Sequence, residues 1–98
     1  MPRTCIITGS FTNKGVPVVG GWIRFTPMRM WVVIENTAWA CLAPAVWLDH
    51  EGGFEVEVTP TDTDTVPWKY LIDSPAGQFS VDVPWSETDH ALKELISH

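Results

Sequence analysis

The chain has 98 residues, 45% of them hydrophobic, with six basic side chains against twelve acidic ones and a formal charge of −6. That length holds one domain, residues 1–98, with a modest core, and the apolar content excludes global disorder. The scattered basic residues exclude a nucleic-acid binder, which needs clustered Lys and Arg, and no run of ~20 apolar residues is present to insert in a membrane.

Residues 5–12 open the chain as a β-rich run in which Cys5, Ile7, Gly9 and Phe11 share one phase, and Asn13-Lys14-Gly15 turns it off. Gly15 and Pro17 mark a turn, because Gly tolerates positive φ and Pro fixes φ near −65°. A second strand follows over residues 19–26, with Ile23 and Phe25 on one face and Trp22 and Arg24 on the other. Pro27, which has no N–H, ends it. The Gly20-Gly21 pair lacks phosphate-loop spacing and reads as a close backbone approach or a bulge. In residues 28–35, Met30, Val32 and Ile34 fall on one face and Trp31 and Val33 on the other, so this strand is either buried on both sides or faces a partner. Residues 36–44, with Trp39 and Cys41, read as a partly packed loop.

Residues 45–48 and 54–58 are two alternating runs about a Gly-containing turn, the pattern of a hairpin. Phe54, Val56 and Val58 point inward, and Glu55 and Glu57 form a solvated face. Residues 59–67 have the composition of an exposed loop; their alternating Asp62 and Asp64 lack the Gly and terminal Glu of a calcium loop. Residues 68–72 resume a strand with Trp68, Tyr70 and Ile72 inward, 75–77 turn it, and 79–83 alternate up to Pro84. Ser86-Glu87-Thr88-Asp89 offers an N-cap with acid in the first turn, and Ala91, Leu92, Leu95 and Ile96 have helical spacing. A helical tail over 86–97 is expected. About seven short strands with almost no helix predict an all-β chain folded as a single antiparallel β-sandwich with a short C-terminal helix, a small barrel being the alternative.

No catalytic constellation is found. His50, His90 and His98 have no positioned nucleophile, the Asp49-His50 neighbours belong to a turn, and no metal-ligand spacing occurs. The reading is therefore no enzyme, no cofactor and no metal. No signal peptide is expected after Met1, and Cys5 and Cys41 read as small buried hydrophobes in preference to a disulfide. The six tryptophans are the remaining signal. Phase directs Trp22 and Trp47 outward and leaves Trp31 ambiguous. A Trp ring buries ~150–250 Å² when covered, so outward rings are either roofed by loops and the tail or form a contact surface. Trp and Arg are favoured interface anchors; the candidate interface is therefore Trp22, Arg24, Trp31 and Trp47. Stacking on a sugar is a third use of the same flat faces.

Thr8-Gly9-Ser10-Phe11, Gly15-Val16-Pro17 and Gly21-Trp22-Ile23-Arg24-Phe25-Thr26-Pro27 together resemble the opening of β-sandwich modules in minor tail and tail-fibre proteins of actinobacterial (mycobacteriophage-type) phages. Val46-Trp47-Leu48-Asp49 with Gly53-Phe54-Glu55-Val56 is similar to their later hairpin, and Asp62-Thr63-Asp64, Pro67-Trp68-Lys69-Tyr70 and Phe79-Ser80-Val81-Asp82-Val83-Pro84 also fit. The same strand logic occurs in transthyretin-like and carboxypeptidase-regulatory-like sandwiches. The resemblance implies an Ig-like or transthyretin-like sandwich that is a virion structural protein, made in the host cytoplasm and sited on the phage tail or capsid surface. Its Trp-rich stretch 28–39 departs from the family pattern and favours a small minor tail or fibre-attachment component or a capsid decoration protein. The partners implied are other virion proteins, with a homo-oligomer in the particle. The alternative is a carbohydrate-binding module for a host-surface glycan.

Overall fold

A computed structural model describes residues 3–63 and 68–96. The strands in chain order are β1 (Cys5–Ser10), β2 (Thr12–Asn13), β3 (Val16–Pro17), β4 (Trp22–Pro27), β5 (Trp31–Ile34) and β6 (Thr37–Ala40). They continue with β7 (Ala45–Trp47), β8 (Gly53–Val58), β9 (Tyr70–Ser74), β10 (Gly77–Val81) and β11 (His90–Ala91), followed by one helix, α1 (Leu92–Ile96). Seven of the strands build two sheets, one of three in the order β11-β1-β8 and one of four in the order β10-β9-β4-β7. The chain is all-β and sandwich-like. Its pairing is antiparallel except that β11 runs parallel to β1.

Alternation along the strands makes the core. Ile7, Val56 and Val58 of the first sheet and Ile23, Phe25, Tyr70 and Ile72 of the second belong to one buried cluster. Phe25 and Phe54 meet across the sheets with ring centroids 6.2 Å apart. Gly9 permits close approach, since a Cβ there would lie 2.8 Å from Phe54 and 3.3 Å from Leu92. The Tyr70 hydroxyl donates to the Leu42 carbonyl at 2.7 Å and accepts the Thr59 N–H at 3.0 Å, tying two connections to the sheet from within the core.

Several expectations are corrected. Residues 45–58 are not a hairpin: β7 pairs with β4, and β8 pairs with β1. The connection keeps the Asp49 N–H to Gly53 carbonyl bond of 3.0 Å, but Gly52, at φ 74°, gives its carbonyl to the Phe11 N–H, and the chain crosses to the other sheet. A crossing suits both strands, because each then lays its apolar phase on the shared core. Residues 36–44 are not simply a loop: Thr37–Ala40 pairs with β5 through a turn in which Glu35 and Asn36 both have positive φ. Asn adopts that region readily and Glu does not, so the turn carried little sequence signal. The start of residues 59–67 is buried, not exposed: Thr59 and Thr61 are inside, and Thr61 Oγ1 accepts the Val83 N–H at 2.9 Å. Asp64 lies outside the described residues. The helical tail is shorter than expected, five residues, because His90–Ala91 joins the sheet before Leu92 and Leu95 turn into the core. Finally, Met30 precedes β5 and is exposed, while Val32 is fully buried.

Candidate functional site

The outer face of the four-stranded sheet collects three of the four residues that the sequence singles out. The register sets Trp22 opposite Trp47, and Arg24 opposite Ala45 on one side and Asp73 on the other. The bonds Leu48 N–H to Gly21 carbonyl and Phe25 N–H to Pro44 carbonyl, both 2.9 Å, fix the phase of the β4–β7 ladder. Gly21–Leu48 and Phe25–Pro44 are therefore hydrogen-bonding positions. Trp22–Trp47 and Arg24–Ala45 are the intervening pairs, which bring side chains closer. Trp47 is 72% exposed and Trp22 44%. With Ala45 as a small residue between them and Val46 beneath, the two indoles bound an open cleft of about 170 Å³.

Arg24 adds charge to this aromatic surface. Its guanidinium carbon lies 5.3 Å from the Trp22 ring centroid, within cation–π range. Its Nη2 donates to Asp73 Oδ2 at 3.2 Å. Gln78, opposite Asp73 on β10, donates its amide to the other carboxylate oxygen. The Gln78 hydrogen bond, and after it the Arg24 guanidinium, hold the Asp73 carboxyl below the usual carboxylate range. A polar row, Arg24–Asp73–Gln78, thus runs across the sheet beside the tryptophans. Asp73 and Gln78 escaped sequence reasoning although both lie in the outward phase of their strands; only the register shows that they line up with Arg24. Ala45 escaped for the opposite reason, being a residue whose contribution is the space it leaves.

Trp31 is not part of this face. It lies on the separate β5–β6 pair, 53% exposed beside Val33, with Ala40 and Ala38 across from them. The strand they belong to is buried on one side, through Val32, and open on the other. Of the remaining tryptophans, Trp39 is half-buried, Trp68 is buried with no partner for its indole N–H among the described residues, and Trp85 carries the Arg3 guanidinium 4.5 Å above its ring.

Elsewhere the groups have structural partners. The Asp49 carboxylate accepts the Glu51 and Gly53 N–H groups at 2.8 Å, and these backbone bonds keep its carboxyl low. His50 beside it is exposed and faces Glu51 at 3.8 Å. A second cleft of about 320 Å³ has Lys69, Asp82, His90 and Glu94 on its walls, but Lys69 and Asp82 pair with each other at 3.1 Å and His90 Nε2 bonds to the Pro84 carbonyl. Cys5 and Cys41 are buried and not joined in a disulfide, and burial foremost pushes the Cys5 thiol up to about 11. Among the described residues no group of three or more His, Cys, Asp or Glu is placed to hold a metal ion, and no helix is long and apolar enough to cross a membrane. No protein-family model matches the chain, and no curated protein matches it.

Proposed function

We propose that this protein is a non-enzymatic contact module that binds other proteins through Trp22, Trp47 and Arg24, with the virion as its setting. The observation that carries the reading is the directly opposed, outward Trp22–Trp47 pair, which flanks an open cleft with an alanine floor. Rigid indoles lose little conformational entropy on contact and are typical anchors of protein interfaces, as is Arg. The setting rests on the likeness of residues 8–27 and 46–56 to phage tail modules. The test is assembly: particles carrying Trp22→Ala or Trp47→Ala should lose the protein while the purified variants keep the parental circular dichroism spectrum. Normal incorporation of both variants would overturn the proposal.

A second reading has its own observation. The Arg24–Asp73–Gln78 row supplies donors and acceptors beside an aromatic plate, the combination that holds a neutral sugar ring by stacking and paired hydroxyl bonds. A glycan array separates the two readings. Retention of a polysaccharide that Asp73→Ala abolishes would favour the sugar; an array without signal would remove it.

A further inference from the structure

The cleft lies on the last strand of its sheet, and that strand has an unused edge. β7 is terminal in the order β10-β9-β4-β7. In an antiparallel ladder, residues at the wide positions turn both N–H and C=O away from the neighbour. The bonds at Gly21–Leu48 and Phe25–Pro44 put Ala45 and Trp47 at those positions, so their four backbone groups point to the free edge. Among the described residues no backbone hydrogen bond joins Ala45 or Trp47 to β8, although the chain enters β8 directly after the turn. The edge carries no Lys and no bulge, devices that discourage pairing; only its length of three residues limits it.

We infer that an extended segment of a partner protein adds to β7 as an antiparallel strand. It exchanges hydrogen bonds with Ala45 and Trp47 and lays one bulky apolar side chain over Ala45, between Trp22 and Trp47. This rests on the contact-module reading and specifies how the contact is made. A partner residue opposite Ala45 has its side chain on the outer face, the same side as the cleft, so backbone pairing and filling of the cleft come from one register.

Charge and area select the occupant. Asp49 and Glu51 follow β7 in the turn, and Arg24 opposite Ala45 is already paired with Asp73, so the charge left at the edge is acidic. A basic segment is complementary to them. A second copy is not, because each chain carries a formal charge of −6. Trp47 and Trp22, at 72% and 44% exposure, offer about 300 Å² between them on a full indole area of ~250 Å². That is well short of the ~800 Å² per partner of a stable dimer and suits a short peptide.

The experiment uses a fluorescein-labelled nonapeptide, Lys-Thr-Val-Thr-Trp-Thr-Val-Thr-Lys, titrated into the full chain and followed by anisotropy and by amide exchange. Saturable binding is expected, with slowed exchange at Ala45 and Trp47. Methylating the Val and Trp amide nitrogens, which face β7, should weaken binding at least tenfold; methylating those of Thr, which face away, should be tolerated. Replacing the terminal Lys by Glu should weaken it several-fold, and Trp47→Ala at least tenfold. Equal affinity for the two methylated peptides would overturn strand addition, and the contact face would then stand or fall on particle incorporation alone. Absence of binding at millimolar peptide overturns the inference in the same way. If the free chain dimerises in sedimentation with Ala45 and Trp47 already protected, a second copy is the occupant and the inference is likewise overturned.

Discussion

Tyr70→Phe removes one oxygen from the interior and isolates the contribution of a single polar network. The ring itself, fully buried between Phe25 and Trp68, is preserved, so no cavity of consequence is left. What is lost is the bond to the Leu42 carbonyl and the acceptor for the Thr59 N–H. Leu42 N–H still reaches Thr59 Oγ1 at 3.0 Å, and Leu42 is partly exposed, whereas Thr59, whose N–H loses its acceptor, is buried. One stranded buried donor costs ~1–3 kcal/mol, which at ~4–8 °C per kcal/mol for a domain of this size is a fall in Tm of roughly 10 °C. The same hydroxyl gives an alkaline signature. Desolvation foremost pushes Tyr70 up to about 12 from the ordinary 10.0. The unfolded chain therefore releases its proton first, and stability that is intact below pH 10 is lost as pH rises through 12. At ~1.4 kcal/mol per unit this loss is roughly 2–3 kcal/mol. Thermal melts from pH 8 to 12 should show that limb in the parent and a shallower one in Tyr70→Phe, where the Cys5 thiol, raised in the same direction, still contributes. A Tm within 2–3 °C of the parent at pH 7, or an alkaline limb of unchanged depth, would refute the reasoning.

Two further perturbations test the corner and the acid limb. Gly52→Ala should cost well over 2 kcal/mol by chemical denaturation, because the new Cβ would lie 2.4 Å from the Phe11 carbonyl oxygen at a φ of 74°, whereas Gly15→Ala, at φ 81° with nothing within 4 Å, should cost only ~1 kcal/mol; equal costs would show that the contact at Gly52 is relieved. Asp49 and Asp73 have depressed carboxyl pKa values, so each contributes stability present above pH ~4 and lost as pH falls through the lowered folded value; melts of Asp49→Asn and Asp73→Asn between pH 7 and 2 should each show a smaller acid loss than the parent.

Period-two alternation was enough to place Ile23, Phe25, Phe54, Val56, Val58, Tyr70 and Ile72 in the core and Trp22, Arg24 and Trp47 outside it, because these strands each have one dry and one wet face. Pairing partners were less legible. Residues 45–58 have the composition of a hairpin, yet their strands separate, since composition records the turn and not which sheet each arm joins. The β5–β6 pair was only half visible because its turn uses Glu35 at positive φ, against that residue's preference. The burial of Thr59 and Thr61 was invisible for a related reason. Both are accepted into the interior by hydrogen bonds to groups distant in the chain, Leu42 and Val83, and no local pattern announces such partners. The candidate site follows the same division: its aromatic members were read from phase, while Ala45, Asp73 and Gln78 entered only with the register.

The tryptophans separate by what water would do to them. Trp68 is held inside although its indole N–H has no partner among the described residues, a polar penalty of ~1–3 kcal/mol that its apolar area offsets. Trp47 is the opposite case, a ring left mostly in water on a strand that could have carried a polar residue at no cost to the core. At ~25 cal/mol per Å², the roughly 180 Å² it exposes corresponds to about 4–5 kcal/mol gained only when something covers it. The core does not need that ring, because Ile23, Phe25 and Ile72 already seal the inner face of the same sheet. The proposed strand addition accounts for its position: a partner strand beside β7 would bond the outward backbone groups of Trp47 in the plane of the sheet, and its own outward side chain would cover the indole.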